Sequence, residues 1–295
     1  MNREPDARTS GQQAASQLSA RLPTISITTP SYNQAEYLGA TLQSVLRQRR
    51  DVYEYLVYDG GSSDGSKEII EASSAEGITH WVSQRDAGQS DAIRKGFERS
   101  TGDILFWLNS DDLLLPKSLR RVREAFARHP EWDVLTGWSV FVDGAGIITR
   151  VNCIPGESRD WASKGILHVC QQTCFFRRSL YERVGGIDLG LHCAMDTDLW
   201  LKFFEAGARW GHIPCLIGAF RQHALMKGVT WTQRYESERL VVQARHPWFP
   251  TGGEGGSLAS ASYRVRRFLS SLQSRERHLR AMIGSPVESL WGATT

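Results

Sequence analysis

Acidic residues gather where three of four early β-branched, apolar stretches of this sequence stop. Asp59 and Asp64 follow Tyr55–Tyr58, Asp86 follows Ile78–Val82, and Asp111-Asp112 follow Ile104–Leu108, with Asp91 a little beyond the third. Aspartate commonly makes turns and caps helices, and Asp64 and Asp91 fit that use. Crowded at one edge, however, carboxylates repel unless a cation or a hydrogen-bonding ligand lies between them. Asp111-Asp112 offers hard oxygen ligands suited to Mg²⁺ or Mn²⁺, ions that take one or two carboxylates and complete their shell with substrate phosphate. A diphosphate held that way would leave with its charge neutralised. Neither G-x-x-x-x-G-K-[ST] nor G-x-G-x-x-G occurs, so P-loop NTPase and dehydrogenase chemistry lack their main sequence support.

The elements that must position these acids alternate. Thr24–Thr29, Tyr55–Tyr58, Ile78–Val82 and Ile104–Leu108 read as strands, and Ala35–Gln48, Ser66–Ala75, Gln89–Glu98 and Lys117–Arg128 as the helices after them. Successive parallel strands need crossover helices, so this half predicts a parallel, doubly wound sheet with ligands beyond the strands' carboxyl ends. The second half changes character. Val134–Arg150 predicts a hairpin turning at Asp143–Gly146, Gln171–Phe176 and Gly211–Phe220 read as strands, and Asp196–Ala206 as a helix with Leu199, Trp200 and Phe203 on one face.

Four ordered segments carry a family resemblance: Thr29-Pro30-Ser31-Tyr32-Asn33, Tyr58–Gly65 (YDGGSSDG), Ser83–Ala92 (SQRDAGQSDA) and Trp107–Asp112 (WLNSDD). Over about Thr24–Thr230 the chain resembles family 2 glycosyltransferases of the GT-A fold, a Rossmann-like, mostly parallel sheet flanked by helices, here with a C-terminal helical extension. The resemblance implies transfer of a sugar from a nucleotide-sugar donor to an acceptor hydroxyl, with inversion, aided by Mn²⁺ or Mg²⁺. It implies that Pro30, Tyr32 and Asn33 line the nucleotide, that Asp59 bonds a uracil or thymine base, and that Asp86 and Asp91 line nucleotide and sugar. Asp111-Asp112 resembles the family's DXD-type element, with Asn109 where a further Asp is usual; either carboxylate is then a candidate for the metal and Asp111 also for the ribose. Gln171 and Gln172 resemble a segment facing the donor sugar, and His223 a position that supplies a metal ligand, while Arg221 and Lys227 offer charge to the diphosphate. Asp196, in a segment resembling the family's acidic motif with Met195 in place of Glu, falls at the general base. It lies three and four residues before Leu199 and Trp200, on their face of the helix, where the dipole favours the carboxylate.

Of 295 residues, 35 are Lys or Arg and 32 Asp or Glu, a net +3 that gives no reason to expect a nucleic-acid partner. Five spread cysteines (153, 170, 174, 193, 215) form no C-x-x-C and suggest a reducing, cytoplasmic setting. Residues 1–22 lack the apolar core of a signal peptide and read as a disordered tail. The expected organisation is then 23–113 as the nucleotide-sugar half, 114–245 as the acceptor half of the same domain, 246–262 as a linker, and 263–295 as an amphipathic basic helix and tail. The stretch 263–283, with six Arg and one Glu, suits either dimerisation or peripheral contact with the inner membrane face. Carbohydrate, lipid-linked and small-molecule acceptors are all compatible with the sequence. A sugar-nucleotidyltransferase would need a Gly-rich basic loop after the first strand, where Pro30-Ser31-Tyr32-Asn33-Gln34 stands instead. A catalytically silent nucleotide-sugar-binding protein would not need to keep Asp111, Asp112 and Asp196 together.

Overall fold

The computed structural model describes residues 22–250 and 279–292. Its strands are β1 (Ile25–Ser31), β2 (Glu54–Asp59), β3 (His80–Ser83), β4 (Ile104–Trp107), β5 (Leu113–Leu114), β6 (Val134–Val142), β7 (Ile148–Asn152), β8 (Phe175–Arg177) and β9 (Trp210–Arg221). They form one sheet of order β3-β2-β1-β4-β8-β6-β9-β5, with β7 paired to β6. The first four strands are mutually parallel, as the alternating pattern requires. Beyond β4 the pairing is mixed: β8 runs antiparallel to β4 and β6, and β9 parallel to β6.

The helices are α1 (Ala35–Leu46), α2 (Ser66–Ser73), α3 (Gln89–Arg99), α4 (Ser118–Arg128), α5 (Arg159–Ala162), α6 (Arg178–Arg183), α7 (Met195–Glu205), α8 (Lys227–Thr230), α9 (Thr232–Arg245) and α10 (Ser289–Gly292). Strand alternation sends neighbouring side chains to opposite faces, and both faces are covered here. Ile104 and Phe106 of β4 join Leu38 and Leu42 of α1 and Val122 of α4 in one core. Leu105 and Trp107 join Phe97 of α3 and Leu199, Trp200 and Phe203 of α7 in the other. Trp107 stacks on Trp200 at 5.5 Å, which fixes the helix carrying Asp196 against the strand that leads to Asp111.

Several local expectations are corrected. Pro30 and Ser31 stay in β1, paired with Tyr58 and Asp59 of β2. Gln171 and Gln172 lie on a 3₁₀ turn, Gln171–Thr173, and the strand begins only at Phe175. The hairpin at Asp143–Gly146 forms as expected, with Gly146 taking the left-handed conformation that glycine adopts at no steric cost. Residues 279–292 pack Leu279, Met282, Val287 and Leu290 against that hairpin. The proposed tail up to residue 21, and the parts of the linker and amphipathic segment within 251–278, lie outside the described residues. Among the described residues no helix is long and apolar enough to cross a membrane.

Candidate active site

The carboxyl ends of β1, β2 and β3 lie in register, Ser31 beside Asp59 and Asp59 beside Ser83. Asp59 is buried, and its carboxylate is filled by its own surroundings. Oδ2 accepts from the Ser83 hydroxyl at 2.6 Å and from the Ser62 and Gly61 amides, and Oδ1 accepts from the Ser62 hydroxyl at 2.5 Å. Asp59 therefore shapes the loop after β2. The loop after β1 is stitched to it: Asn33 accepts from the Ser63 amide through Oδ1, and its own amide donates to Ser62. Asn33 holds a left-handed conformation at positive φ, uncommon for a non-glycine residue.

These bonds leave a slot over Gly60. A methyl group added there would lie 3.2 Å from both Asp86 Oδ1 and Tyr32 Cδ2, so Tyr32 and Asp86 face each other across bare backbone. Tyr32 is 63% exposed. It offers an open aromatic face suited to stacking on a base. Burial pushes the Asp86 carboxyl above its ordinary value, with Asp91 and Asp59 nearby adding to the effect. Asp64 and Asp91 take the capping roles their positions allowed. Asp64 accepts from the Ala35 and Ser66 amides. Asp91 pairs with Lys95 at 2.6 Å and Arg94 at 3.0 Å and accepts from the Ala87 amide. Burial pushes the Asp91 carboxyl up, but these bonds outweigh it and leave it below its ordinary value. Its carboxylate anchors the start of α3.

After β4 the two acids separate in role. Asp112 is buried, accepts from the Arg221 amide at 2.9 Å, and is raised well above the ordinary range by burial first and by the Asp111 charge second. Its carboxylate is buried and held by that amide. Asp111 is the one that remains partly open, with Oδ2 3.1 Å from His223 Nε2. The His223 ring is buried against Tyr37 at 4.6 Å, and its Nδ1 has no partner. A carboxylate oxygen and an imidazole nitrogen aimed at one point suit a divalent ion that takes its remaining ligands from a diphosphate. Among the described residues no group of three His, Cys, Asp or Glu is placed to hold a metal alone.

Arg221 is buried and donates to the carbonyls of Asp111, Asp143 and Gly144, so it pins the loop. Lys227 is the cation that faces the site. Its Nζ donates to Gln89 Oε1 at 2.5 Å; Gln89 Nε2 donates to Asn109 Oδ1 at 2.7 Å; and Asn109 Nδ2 donates to Gln171 Oε1 at 3.2 Å. Gln171 in turn donates to the Trp107 carbonyl at 2.6 Å. Asn109, where the family more often has Asp, is thus the centre of an uncharged relay between α8, α3, β4 and the 3₁₀ turn. The buried Gln172 Nε2 has no partner.

Asp196 opens α7 and is half-buried, with only the Thr197 amide and hydroxyl donating to it. Burial pushes its carboxyl up and outweighs the hydrogen bonds from Thr197. The preceding loop is held from two sides. Ser90 donates to the Leu191 carbonyl at 2.6 Å, and Glu238 of α9 accepts from the His192, Cys193 and Ala194 amides at 2.7 to 3.0 Å. His192 touches Gly88 beside Asp86, and Lys227 lies within electrostatic reach of both Asp111 and Cys193, which Asp196 also reaches. Asp86, Asp111, Lys227 and Asp196 are linked in this way through shared neighbours. The roles of Gln89, Asn109 and Glu238 were not legible in sequence; the WLNSDD segment pointed to Asn109 only as a departure.

The sequence profile of glycosyl transferase family 2 matches residues 26–185. An uncharacterized glycosyltransferase of Mycobacterium tuberculosis, Rv1514c, is 32% identical over 183 residues, 61% of this chain and 68% of that protein. In fold, the chain is similar to Staphylococcus aureus TarS 1–349 in complex with UDP-GlcNAc (TM-score 0.60, 18% identity, 91% of this chain and 78% of that one). It spans 47% of a longer TarS chain. It is also similar to the mannosyltransferase PcManGT of Pyrobaculum calidifontis in complex with GDP-Man and Mn²⁺ (TM-score 0.56, 17% identity, 97% of this chain and 86% of that one). The chain belongs to glycosyl transferase family 2, with a GT-A type fold.

Proposed function

We propose that this glycosyltransferase inverts the anomeric centre as it moves a sugar from a nucleoside-diphosphate donor, UDP- or dTDP-linked, to an acceptor hydroxyl. The observation that carries the reading is the Asp111–His223 pair with Lys227 in electrostatic reach of Asp111, and with Asp196 in reach of Cys193, which Lys227 also reaches. The base of the donor stacks on Tyr32 over Gly60, with Pro30, Asn33 and Asp86 around it, while Asp59 holds the loop that forms the slot. Asp111 and His223 would hold Mn²⁺ or Mg²⁺, which supplies neutralisation of the diphosphate charge. The two Mn²⁺-compatible donor atoms and the Mn²⁺ in the PcManGT complex support this.

Asp196 takes the acceptor's proton as the acceptor oxygen bonds to the anomeric carbon and the bond to the diphosphate breaks. A carboxyl raised by burial is a stronger base than an ordinary aspartate. Lys227 places a desolvated positive charge near the departing diphosphate, and the Gln89–Asn109–Gln171 relay holds that cation without adding negative charge. Gln171 and Gln172 border the donor sugar, the spare Gln172 amide offering it a donor. Residues 23–113 act as the nucleotide half and 114–245 as the acceptor half. The five cysteines form no disulfide among the described residues, which fits the reducing, cytoplasmic setting. A thermal-shift screen of UDP-, dTDP- and GDP-sugars, with Mn²⁺ and with EDTA, tests this: binding stabilises by RT ln(1 + [L]/Kd), so the true donor raises the melting temperature and EDTA reduces the rise. No response to any donor would refute it.

A further inference from the structure

A cavity of about 620 Å³ lies at the C-terminal end of α1. The nucleotide loop lies at the other end of that helix, a full helix length away. The cavity wall carries Arg47, Arg49, Arg50, Lys117 and Arg120, together with the indole of Trp291. Its one acid, Asp51, is taken by Arg123 at 3.2 Å. Arg47 lies over Trp291 at 5.4 Å, and Arg120 has Glu124 at 2.9 Å on the surface. Arg49, Arg50 and Lys117 are exposed and have no ion pair or side-chain hydrogen bond among the described residues. Cations crowded round one bowl repel unless an anion sits among them.

Two features of the backbone agree. Lys117 sits at positive φ in the left-handed region. Glycine takes that conformation freely and a lysine only against steric resistance, so the side chain is kept there at a conformational cost. It also stands at the N-cap position of the 11-residue α4, whose first turn contains no acid and whose dipole is positive at that end.

We propose that this pocket binds a phosphate-bearing anion, at a site separate from sugar transfer. Guanidinium forks match phosphate oxygens, and five cations around a bowl suit a compact, multiply charged group better than an extended acidic segment. The phosphate belongs either to an anionic lipid headgroup or to a free polyphosphate. The inference does not depend on the transfer reading, and its test uses no transfer assay.

The full chain, in EDTA, is titrated calorimetrically with pyrophosphate and floated with phosphatidylcholine vesicles with and without phosphatidylglycerol. Reversing charge in Arg49→Glu/Arg50→Glu lowers binding in at least one arm by about tenfold or more. The arm that loses binding names the source of the phosphate. Lys117→Gly lowers the same binding several-fold while raising the melting temperature by roughly 2–4 °C, since it removes the conformational cost and the cation together. Binding unchanged in both arms overturns the proposal. So does an equal loss in Lys67→Glu/Arg183→Glu, which alters two exposed cations outside the pocket and would reduce the effect to net charge.

Discussion

Asp198, two residues after the proposed base, gives a prediction whose size can be worked from its surroundings. Its side chain is fully buried against Lys202 at 2.7 Å, and Arg245 and His246 each lie 3.3 Å away. Burial alone would raise its carboxyl, but the bonds from His246 and Lys202 outweigh that and hold it down at about 2, against an ordinary 3.8. That gap is worth about 2.5 kcal/mol, at about 1.4 kcal/mol for each tenfold change in proton affinity. A lowered carboxyl contributes stability that is present above 3.8 and is lost as pH falls through about 2. Asp198→Asn should therefore cost about 2.5 kcal/mol in urea unfolding at pH 7, and roughly half that at about pH 3. His246 has the opposite window. Burial would lower it, yet Asp198 and Glu205 outweigh burial and hold it raised above 6.5. Its contribution is therefore fully present below that value and fades as pH rises through the raised one. Equal destabilisation by Asp198→Asn at neutral and at acid pH would refute this clamp between α7 and α9.

Gly60→Ala should leave the fold intact, because the exposed Tyr32 ring can give by the few tenths of an ångström needed, but it narrows the base slot. The donor KM should rise by about tenfold with kcat little changed, in steady-state kinetics over donor concentration. His223→Ala deletes half of the proposed ligand pair. It should weaken the Mn²⁺-dependent part of donor binding by about tenfold or more in calorimetry. Glu238→Gln keeps shape but removes the charge accepting three amides before Asp196. It should cost about 1–3 kcal/mol in stability by urea unfolding and lower kcat more than donor affinity.

The strand–helix order of the first half was legible because β1, β2 and β4 are almost wholly buried and α1 shows an apolar stripe of Leu38, Leu42 and Val45. The two-residue β5 left no periodicity to read, and the polar α9 buries only Glu238 and Val242, so its role in holding α7 was invisible. The acids at the strand ends were easy to find and hard to sort. Asp64 and Asp91 cap local backbone, Asp59 and Asp112 are buried under hydrogen bonds, and Asp86 and Asp111 stay accessible. Their partners divide them, and some of these, such as the Arg221 amide for Asp112, come from far along the chain. The Lys227–Gln89 bond joins residues 138 positions apart, so the relay it begins follows from topology alone.

The account turns on Asp196 acting as the base of the proposed transfer. The most direct measurement compares Asp196→Asn with the wild type for donor affinity by calorimetry and for transfer rate under saturating donor. Donor affinity should stay within about twofold while kcat falls by about 10²–10⁴-fold, the range for loss of a general base. Undiminished transfer by the variant, or loss of donor binding in step with loss of rate, would contradict it.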